Sequence, residues 1–224
     1  MEILKLENII KIYQVWEQEV RALRWVDLSI NKWEFVSITW ESWSGKSTLM
    51  NIIWMLDTPT SGKYFFEGRE VEFLSDDDQA IIRGQTIGFI FQSYNLIPKT
   101  TVLKQVMVPL MYQWISKDER EERAYQALRK VWLESKAHNM PTQLSWWQQQ
   151  RVAIARAIVT NPGIILWDEP TWALDSNTWK EIMDLITSFN DEWRTIIIIT
   201  HTHEVAKYAK RNIHIVDWLI QPKQ

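Results

Sequence analysis

The sequence contains no cysteine, which excludes disulfide bonds, thiolate metal sites and cysteine nucleophiles. It has no apolar run near the ~18 residues that a membrane-spanning helix needs, and its first residues, MEILKLENI, lack the basic start and apolar core of a secretion signal. The formal net charge is only −3, so bulk charge attracts the chain neither to nucleic acid nor to anionic lipid. We expect a cytoplasmic globular protein, with its 224 residues in one domain or in one domain with an insertion.

Glycine is scarce in this sequence, and tryptophan is unusually abundant. The chain has 6 glycines and 15 tryptophans, although glycine typically makes up about 7% of residues. Trp33, Trp193 and Trp218 follow Lys, Glu and Asp in places where a turn glycine is typical. Packing in the core or at an interface is the alternative explanation. Core residues should follow the period of a helix or a strand, however, and these tryptophans follow turns.

Short apolar runs rich in β-branched residues alternate with helical patterns along the chain. This alternation predicts an α/β fold in which crossover helices join parallel strands. The runs that predict strands of this sheet are residues 35–39, 87–91, 164–166, 195–200 and 212–216. The helical patterns that accompany them are residues 47–56, 177–189 and 204–209.

Two parts of the chain depart from this alternation. Near the N-terminus, residues 4–13 and 20–30 predict antiparallel strands. Between about residues 93 and 159 the patterns are helical only, at 101–112, 117–131 and 146–159. We therefore expect a single domain with an α/β core of residues 1–92 and 160–224 and an inserted helical subdomain of residues 93–159.

A phosphate-binding pattern follows the predicted strand at 35–39. It matches G-x-x-x-x-G-K-[ST] at every position except the first, and it reads Trp40-Glu41-Ser42-Trp43-Ser44-Gly45-Lys46-Ser47. In such a loop, backbone amides and a helix N-terminus face the phosphates, Lys46 reaches the terminal phosphate oxygens and the Ser47 hydroxyl binds Mg²⁺. The alternative is an ordinary strand-to-helix turn in which serine and glycine serve as cap and bend.

Two carboxylates end the apolar run at 164–166, in the order Asp168-Glu169. In phosphate-transferring sites the first such carboxylate holds Mg²⁺ through water and the second orients the attacking water. Taken alone, an acidic pair at the end of a strand is as often a helix cap. A second acidic run, Asp76 to Asp78, predicts a cap for the helix that follows it rather than a metal site.

The segment from Leu144 to Arg156 reads LSWWQQQRVAIAR and resembles the signature motif LSGGQ, with its following helix, of ATP-binding subunits of ABC transporters. The other motifs of that family occur in the family's order over essentially the whole chain. They are the aromatic Tyr13, Gln92, the stretch from Trp172 to Asp175, and His201. Within the family, the residues 91–98 and 148–151 resemble the lipoprotein-release and macrolide-export branch.

This resemblance implies a fold, a set of site residues and two ligands, ATP and Mg²⁺. The fold is that of a P-loop NTPase of the ABC type. The residues implied to contact nucleotide are Tyr13, Trp40, Glu41, Ser42, Trp43, Ser44, Gly45, Lys46, Ser47, Thr48, Ser145, Trp146, Trp147, Gln148 and Asp175. Ser47, Gln92 and Asp168 are implied Mg²⁺ ligands, directly or through water. Glu169, His201 and Gln92 are the implied catalytic residues.

The resemblance also implies partners. Two copies of the chain would enclose two ATP molecules head to tail, and separate permease subunits would dock on the cytoplasmic face of the membrane, with export favoured over import. An ABC ATPase acting on DNA or ribosomes is disfavoured, because the sequence has no long coiled-coil insertion and no second ATPase domain. A non-hydrolysing regulatory or scaffold subunit remains the alternative, although the retained Glu169 and His201 argue against natural loss of activity.

Five tryptophans occupy motif positions at which the family carries glycine: Trp40, Trp43, Trp146, Trp147 and Trp172. Glycine serves there because the backbone takes a positive φ or approaches the phosphates closely, and an indole adds bulk and strain. We therefore expect the ATPase activity of this chain to be weak or absent, with hydrolysis affected more than nucleotide binding.

Overall fold

The computed structural model describes residues 1–40, 45–170, 176–216 and 219–221. The chain divides into two compact units, one formed by Met1–Arg83 with Ile199–Gln224 and the other by Gly84–Ile198. The units contain an antiparallel sheet, parallel strands and accompanying helices. The α/β fold with N-terminal antiparallel strands that the sequence predicts is therefore confirmed.

Helices separate most strands of the described residues after the first three, but β4 leads directly to β5 and β9 directly to β10. In chain order the strands are β1 (Glu2–Val15), β2 (Gln18–Asn31), β3 (Phe35–Trp40), β4 (Ser61–Phe66), β5 (Arg69–Glu70), β6 (Ile87–Ile90), β7 (Ile164–Asp168), β8 (Thr195–Thr200), β9 (Arg211–Val216) and β10 (Leu219–Gln221).

The helices fall mainly between the strands of the α/β core and in the stretch that joins β6 to β7. They are α1 (Lys46–Ile53), α2 (Asp76–Thr86), α3 (Val102–Met107), α4 (Lys117–Lys130), α5 (Trp146–Ile158), α6 (Ser176–Asp191) and α7 (His203–Ala206). Short 3₁₀ helices occur at Val71–Phe73, Val108–Tyr112, Glu134–Lys136 and Pro141–Gln143.

The first unit is built on an antiparallel sheet with the strand order β2-β1-β4-β5. Strands β1 and β2 form a long hairpin, and alternate apolar residues such as Ile9 and Val26 are fully buried, as a half-buried sheet requires. In the same unit, β3 pairs in parallel with β9, and β9 pairs antiparallel with β10. Helix α1 follows β3 in the chain, and its Leu49, Ile52 and Ile53 side chains are buried.

The second unit combines strands with the helical segment. Strands β6 and β7 pair in parallel, and β8, which continues into the first unit, lies beside β7. All six residues of β8 are buried, which suits a strand inside a parallel sheet. Gly88 of β6 lies so close to α5 that an added Cβ would be 2.3 Å from the carbonyl oxygen of Ala157. Between residues 93 and 159 the described elements are helices only, as predicted.

The element boundaries differ from the sequence predictions in a few places. Strand β4 was not predicted, because its sequence, SGKYFF, lacks the β-branched run that marks the other strands. Helix α3 ends at Met107 and continues as the 3₁₀ helix to Tyr112, where Pro109 lacks the amide needed for an α-helical bond. The expected cap at Asp76 to Asp78 is wrong in detail: these residues form the first turn of α2, and the Ser75 hydroxyl accepts the cap bond from the Asp78 amide at 3.1 Å.

Several tryptophans of the described chain have a backbone conformation that favours glycine. Trp33 and Trp193 both have φ of 65°, which is the left-handed conformation expected at a turn glycine. Trp218 lies outside the described residues. Positive φ also occurs at Trp16 (55°), Trp25 (50°) and Trp132 (57°), which the sequence did not single out.

Replacing Trp16 measures how much its positive φ destabilises the fold. It is the first residue of the two-residue loop between β1 and β2, and its side chain is 95% exposed. Trp16→Gly should raise the free energy of unfolding by about 1 kcal/mol, because glycine adopts positive φ without the steric penalty of a Cβ.

Trp114→Gly is the matched control, since Trp114 is fully exposed but is not among the residues with positive φ. It should leave stability unchanged or lower it by up to about 1 kcal/mol, owing to the entropy of glycine. Urea unfolding of both variants checks the prediction, and a Trp16→Gly protein no more stable than its parent would contradict it.

Candidate functional site

The end of the predicted phosphate loop forms the start of α1. Gly45 is the N-cap residue, with φ of 78° and ψ of 16°, and an added Cβ would lie 2.0 Å from the carbonyl oxygen of Ala22. Lys46 and Ser47 are the first two helical residues, and the Ser47 side chain is exposed. Trp40 is the last residue of β3. The other predicted loop residues lie outside the described residues: Glu41, Ser42, Trp43 and Ser44.

This helix start suits an anionic ligand. The first turn of α1 contains no acidic residue, and its glycine N-cap has no side chain to accept hydrogen bonds from the first-turn amides. The N-terminus of a helix carries unsatisfied amides and a partial positive charge of about half a unit. Phosphate oxygens are the groups that most often use such an end.

Tyr13 lies near the end of β1, partly exposed, and its hydroxyl group donates a hydrogen bond to Asp57 Oδ2 at 2.7 Å. Lys11, two residues earlier on the same strand, places Nζ 4.9 Å from the centre of the Tyr13 ring. Partial burial and the Asp57 hydrogen bond raise the pKa of the Tyr13 phenol, and a hydrogen bond with Thr48 opposes them. Thr48, predicted as a nucleotide contact, is buried in α1.

The two predicted carboxylates lie at the end of β7. Asp168 is the last residue of the strand, and Glu169 follows it, with 7% of its surface exposed and φ of 46°. A non-glycine residue with positive φ at a strand end is strained, and such strain is frequent at functional positions. Trp167, just before them, is fully buried, with its ring centre 6.4 Å from that of Trp179.

Gln92 lies just after β6, partly buried, in a segment that other side chains hold in place. Arg156 of α5 donates hydrogen bonds to the carbonyl oxygens of Tyr94 and Asn95, both at 2.7 Å. The buried Gln105 of α3 bonds the backbone of Ile97 twice, accepting from its amide at 3.0 Å and donating to its carbonyl at 2.6 Å. Burial lowers the pKa of the Arg156 guanidinium.

The predicted signature residues form the first turn of α5. Ser145 and Gln148 make a reciprocal capping box, in which the Ser145 hydroxyl accepts from the Gln148 amide and Gln148 Oε1 accepts from the Ser145 amide. Trp146 is 69% exposed and Trp147 is 38% exposed. The Trp146 ring lies 6.4 Å from that of Tyr94, and the Arg151 guanidinium lies 5.2 Å from the Trp147 ring.

His201 directly follows β8, the position after a strand that the sequence predicted, and its side chain is exposed. Trp172 and Asp175 lie outside the described residues. The candidate residues are thus distributed over both units. The first contains Tyr13, Gly45, Lys46, Ser47, Thr48 and His201, and the second contains Gln92, Ser145, Trp146, Trp147, Gln148, Asp168 and Glu169.

Four side chains with evident positioning contacts were not predicted: Lys11, Asp57, Gln105 and Arg156. For Lys11, Asp57 and Arg156 the partners are distant in the sequence; Tyr13 and Asp57 are 44 positions apart, and Asn95 and Arg156 are 61 apart. Gln105 bonds Ile97, only 8 positions away, but no motif marks it. Within the described ranges no helix is long and apolar enough to cross a membrane. Nor does the described part of the chain contain a cluster of three or more His, Cys, Asp or Glu side chains suited to a metal ion.

Arg156→Gln should loosen the segment that follows Gln92. The change removes two charge-assisted hydrogen bonds, each worth about 1.5–3 kcal/mol, so amide hydrogen exchange in residues 91–98 should accelerate by about tenfold or more. Arg123→Gln is the control, because Arg123 makes an exposed ion pair with Glu119 at 2.5 Å on α4. Unchanged exchange in residues 91–98 of the Arg156 variant would contradict the assignment.

Comparison with known proteins shows what this chain resembles. Residues 23–172 match the family model described as ABC transporter. The chain is 46% identical over 219 residues to the uncharacterized ABC transporter ATP-binding protein YknY of Bacillus subtilis, covering 98% of this chain and 95% of YknY. It is 45% identical over 215 residues to the macrolide export ATP-binding/permease protein MacB of Brucella melitensis, covering 96% of this chain but 33% of MacB.

A solved structure has the same fold. It is the dimeric structure of a post-hydrolysis state of the ATP-binding cassette MJ0796 bound to ADP and Pi, with a TM-score of 0.89 and 43% identity over 99% of this chain and 97% of that one. MJ0796 comes from Methanocaldococcus jannaschii. The macrolide-export relatives agree with the branch that the motifs predicted. With a family model matching more than half of its length and relatives above 40% identity, the chain belongs to the ABC transporter family.

Proposed function

We propose that the chain binds ATP with Mg²⁺ and hydrolyses it as the ATP-binding subunit of an ABC transporter. The observation that carries this proposal is the Gly45-Lys46-Ser47 start of α1, where a left-handed glycine leads into a helix end without acidic residues. The likeness to MJ0796, a cassette seen with ADP and Pi, supports the same conclusion over nearly the whole length.

Residues of the first unit supply the proposed contacts to the phosphates and the base of the nucleotide. Lys46 supplies a cation, and the amides at the start of α1 supply hydrogen-bond donors, for the phosphate oxygens. Ser44 and Thr48 flank these groups in the sequence, and the remaining loop residues complete the phosphate contacts by resemblance to the family. The partly exposed Tyr13 ring stacks on the adenine base.

The proposed Mg²⁺ ligands have the right donor chemistry. Mg²⁺ takes oxygen ligands, and Ser47 supplies a hydroxyl, Asp168 a carboxylate and Gln92 an amide oxygen. When bound, the ion neutralises negative charge on the phosphate oxygens that it contacts. Ser47 would bind it directly, and Asp168 would act through water.

Hydrolysis needs a water molecule aligned with the γ-phosphorus. Glu169 orients this water by accepting a hydrogen bond from it, and burial of Glu169 keeps the carboxylate from being solvated by bulk water. The water oxygen forms the new bond to phosphorus and gives up a proton towards the Glu169 carboxylate, while the bond to the bridging oxygen breaks and its electron pair stays with ADP. His201 donates to the γ-phosphate oxygens, and Gln92 links the site to the membrane partner.

The proposed transporter needs two kinds of partner, a second copy of this chain and separate permease subunits. Two copies form a head-to-tail dimer in which Ser145, Trp146, Trp147, Gln148 and Asp175 face the nucleotide held by the other copy. The dimeric structures of MJ0796 support the association of two copies. Separate permease subunits dock at the helical subdomain, residues 93–159, so the chain is peripheral on the cytoplasmic face of the membrane. The MacB match, an ATP-binding/permease protein, supports this coupling and export as its direction.

The tryptophans at the motif positions reduce this activity. Trp146 and Trp147 expose their indoles at the start of α5, where the proposed dimer brings in a nucleotide. Trp40 and Trp43 fall in the phosphate loop by resemblance, where an indole crowds the phosphates. Weak nucleotide binding and weaker hydrolysis follow.

A four-glycine version carrying Trp40→Gly, Trp43→Gly, Trp146→Gly and Trp147→Gly tests this expectation. Its steady-state ATPase turnover should exceed that of the parent by about tenfold or more, since each relieved strain or clash of about 1.4 kcal/mol corresponds to a factor of ten. The Trp40/Trp43 pair alone should improve ATP affinity, and the Trp146/Trp147 pair alone should improve turnover at saturating ATP.

Trp114→Gly, an exposed tryptophan outside the motifs, is the control and should leave turnover unchanged. Equal turnover in the parent and the four-glycine version would contradict the expected inhibition. Adding Glu169→Gln to the four-glycine version should abolish turnover while ATP binding persists. A four-glycine version that binds ATP but never turns over would instead favour the regulatory, non-hydrolysing subunit.

A further inference from the structure

Tyr13 is attached to a charged pair that links it to the phosphate-binding helix. Asp57 Oδ2 accepts a hydrogen bond from the Tyr13 hydroxyl at 2.7 Å, and Asp57 Oδ1 accepts one from Lys11 Nζ at 2.5 Å. The same ammonium group donates to the carbonyl oxygen of Thr58 at 2.8 Å. Lys11 and Asp57 are both largely shielded, with 12% and 25% of their side chains exposed, so solvent weakens this pair less than a surface ion pair.

Asp57 is itself fixed to helix α1. The amides of Leu56 and Asp57 bond the carbonyl oxygen of Asn51 within the helix, at 2.8 and 3.3 Å. Burial on its own raises the pKa of the Asp57 carboxyl, but the hydrogen bonds from Lys11 and Tyr13 outweigh it and lower that pKa. The carboxylate therefore stays ionised and remains a strong acceptor for both partners.

The Lys11 ammonium also contacts the Tyr13 ring. Its Nζ lies 4.9 Å from the ring centre, which is within cation–π range. The ring is thus held at its hydroxyl end by Asp57 and at a face by Lys11. A ring fixed at both places loses little conformational freedom when a flat ligand stacks on it.

We propose that Asp57 and Lys11 are positioning residues for the nucleotide base, holding the Tyr13 ring at a constant place relative to α1 and its phosphate-binding start. This inference rests on the proposed function, because it assigns the base-stacking role to Tyr13. The two residues do not touch the nucleotide. They fix the separation between the stacking ring and the helix end, so that base and phosphates are bound together.

The test compares a ligand that has a base with one that lacks it. Binding of ATP and of inorganic tripolyphosphate is measured by calorimetry in the parent and in the four-glycine version, each with Asp57→Ala, Asp57→Asn, Tyr13→Phe or Lys11→Met. Asp57→Ala should weaken ATP binding by about tenfold, the usual effect of losing a charge-assisted hydrogen bond, and leave tripolyphosphate binding unchanged. Asp57→Asn keeps an acceptor for Tyr13 and should recover part of the loss.

Glu67→Gln is the matched control, because Glu67 forms an ion pair with Lys32 at the same 2.5 Å distance in the same unit. It should not change the ratio of the two affinities. Equal losses for ATP and tripolyphosphate in Asp57→Ala would overturn the positioning role, since they would indicate a general structural effect. Unchanged ATP affinity in Asp57→Ala and Tyr13→Phe would overturn it as well.

A second measurement separates this inference from the proposed function. The Tyr13 phenol is titrated by ¹³Cζ resonance, assigned with Tyr13→Phe, in the parent and in Asp57→Asn. Loss of the Asp57 charge should lower the pKa of the phenol, and an unchanged titration would overturn the link between Asp57 and Tyr13. If neither background binds ATP or tripolyphosphate, the proposed function fails, whereas a lowered phenol pKa would still support the link.

Discussion

The close approach of the Ala22 carbonyl oxygen to Gly45 is the constraint on which the arrangement of the first unit's candidate nucleotide-binding residues depends. Because an added Cβ would lie only 2.0 Å from that oxygen, residue 45 must be glycine. Its φ of 78° sets the direction in which α1 begins. Ala22 belongs to β2, whose register with β1 places Tyr13 opposite Val20. One hairpin therefore fixes both the start of α1 and the Tyr13 ring, and Asp57, which lies beyond the C-terminal end of α1, accepts the hydrogen bond of the Tyr13 hydroxyl.

A chain with few glycines can keep this fold where a residue with positive φ has open space around its side chain. At Gly45 no side chain fits, whereas Trp16 and Trp193 have positive φ but extend into solvent, 95% and 70% exposed. Each such residue adds strain of about 1–2 kcal/mol, so the five described tryptophans with positive φ together cost an amount comparable to the usual net stability of about 5–15 kcal/mol. Where space is open, an indole costs stability. Where a ligand must approach the backbone, it costs function.

The sequence predicted most elements, and where candidate residues lie relative to the strand ends, because those features are local. Apolar β-branched runs gave β8 to the residue and β3, β6, β7 and β9 within two residues, and the motif order placed His201 and Glu169 at strand ends, where they lie. Strand β4 was missed because SGKYFF lacks a β-branched run, and its pairing with β1, for example Tyr64 with Leu6, cannot be recognised in either segment alone. The contacts of Asp57 and Arg156 were missed for the same reason: they join residues far apart in the chain, and only the fold brings them together.

Helix α5 shows what such long-range contacts add to a motif. Its first turn is the signature sequence, closed by the Ser145–Gln148 capping box, and its last turns approach β6 so closely that only Gly88 fits against Ala157. Arg156, one residue earlier, bonds the segment after Gln92, and Tyr94 of that segment also meets Trp146 at the helix start. Residues 146 and 156 are about 15 Å apart along the helix axis. A displacement of the Gln92 segment therefore either breaks contacts at two separated points or moves α5, and the signature with it, as one rigid element.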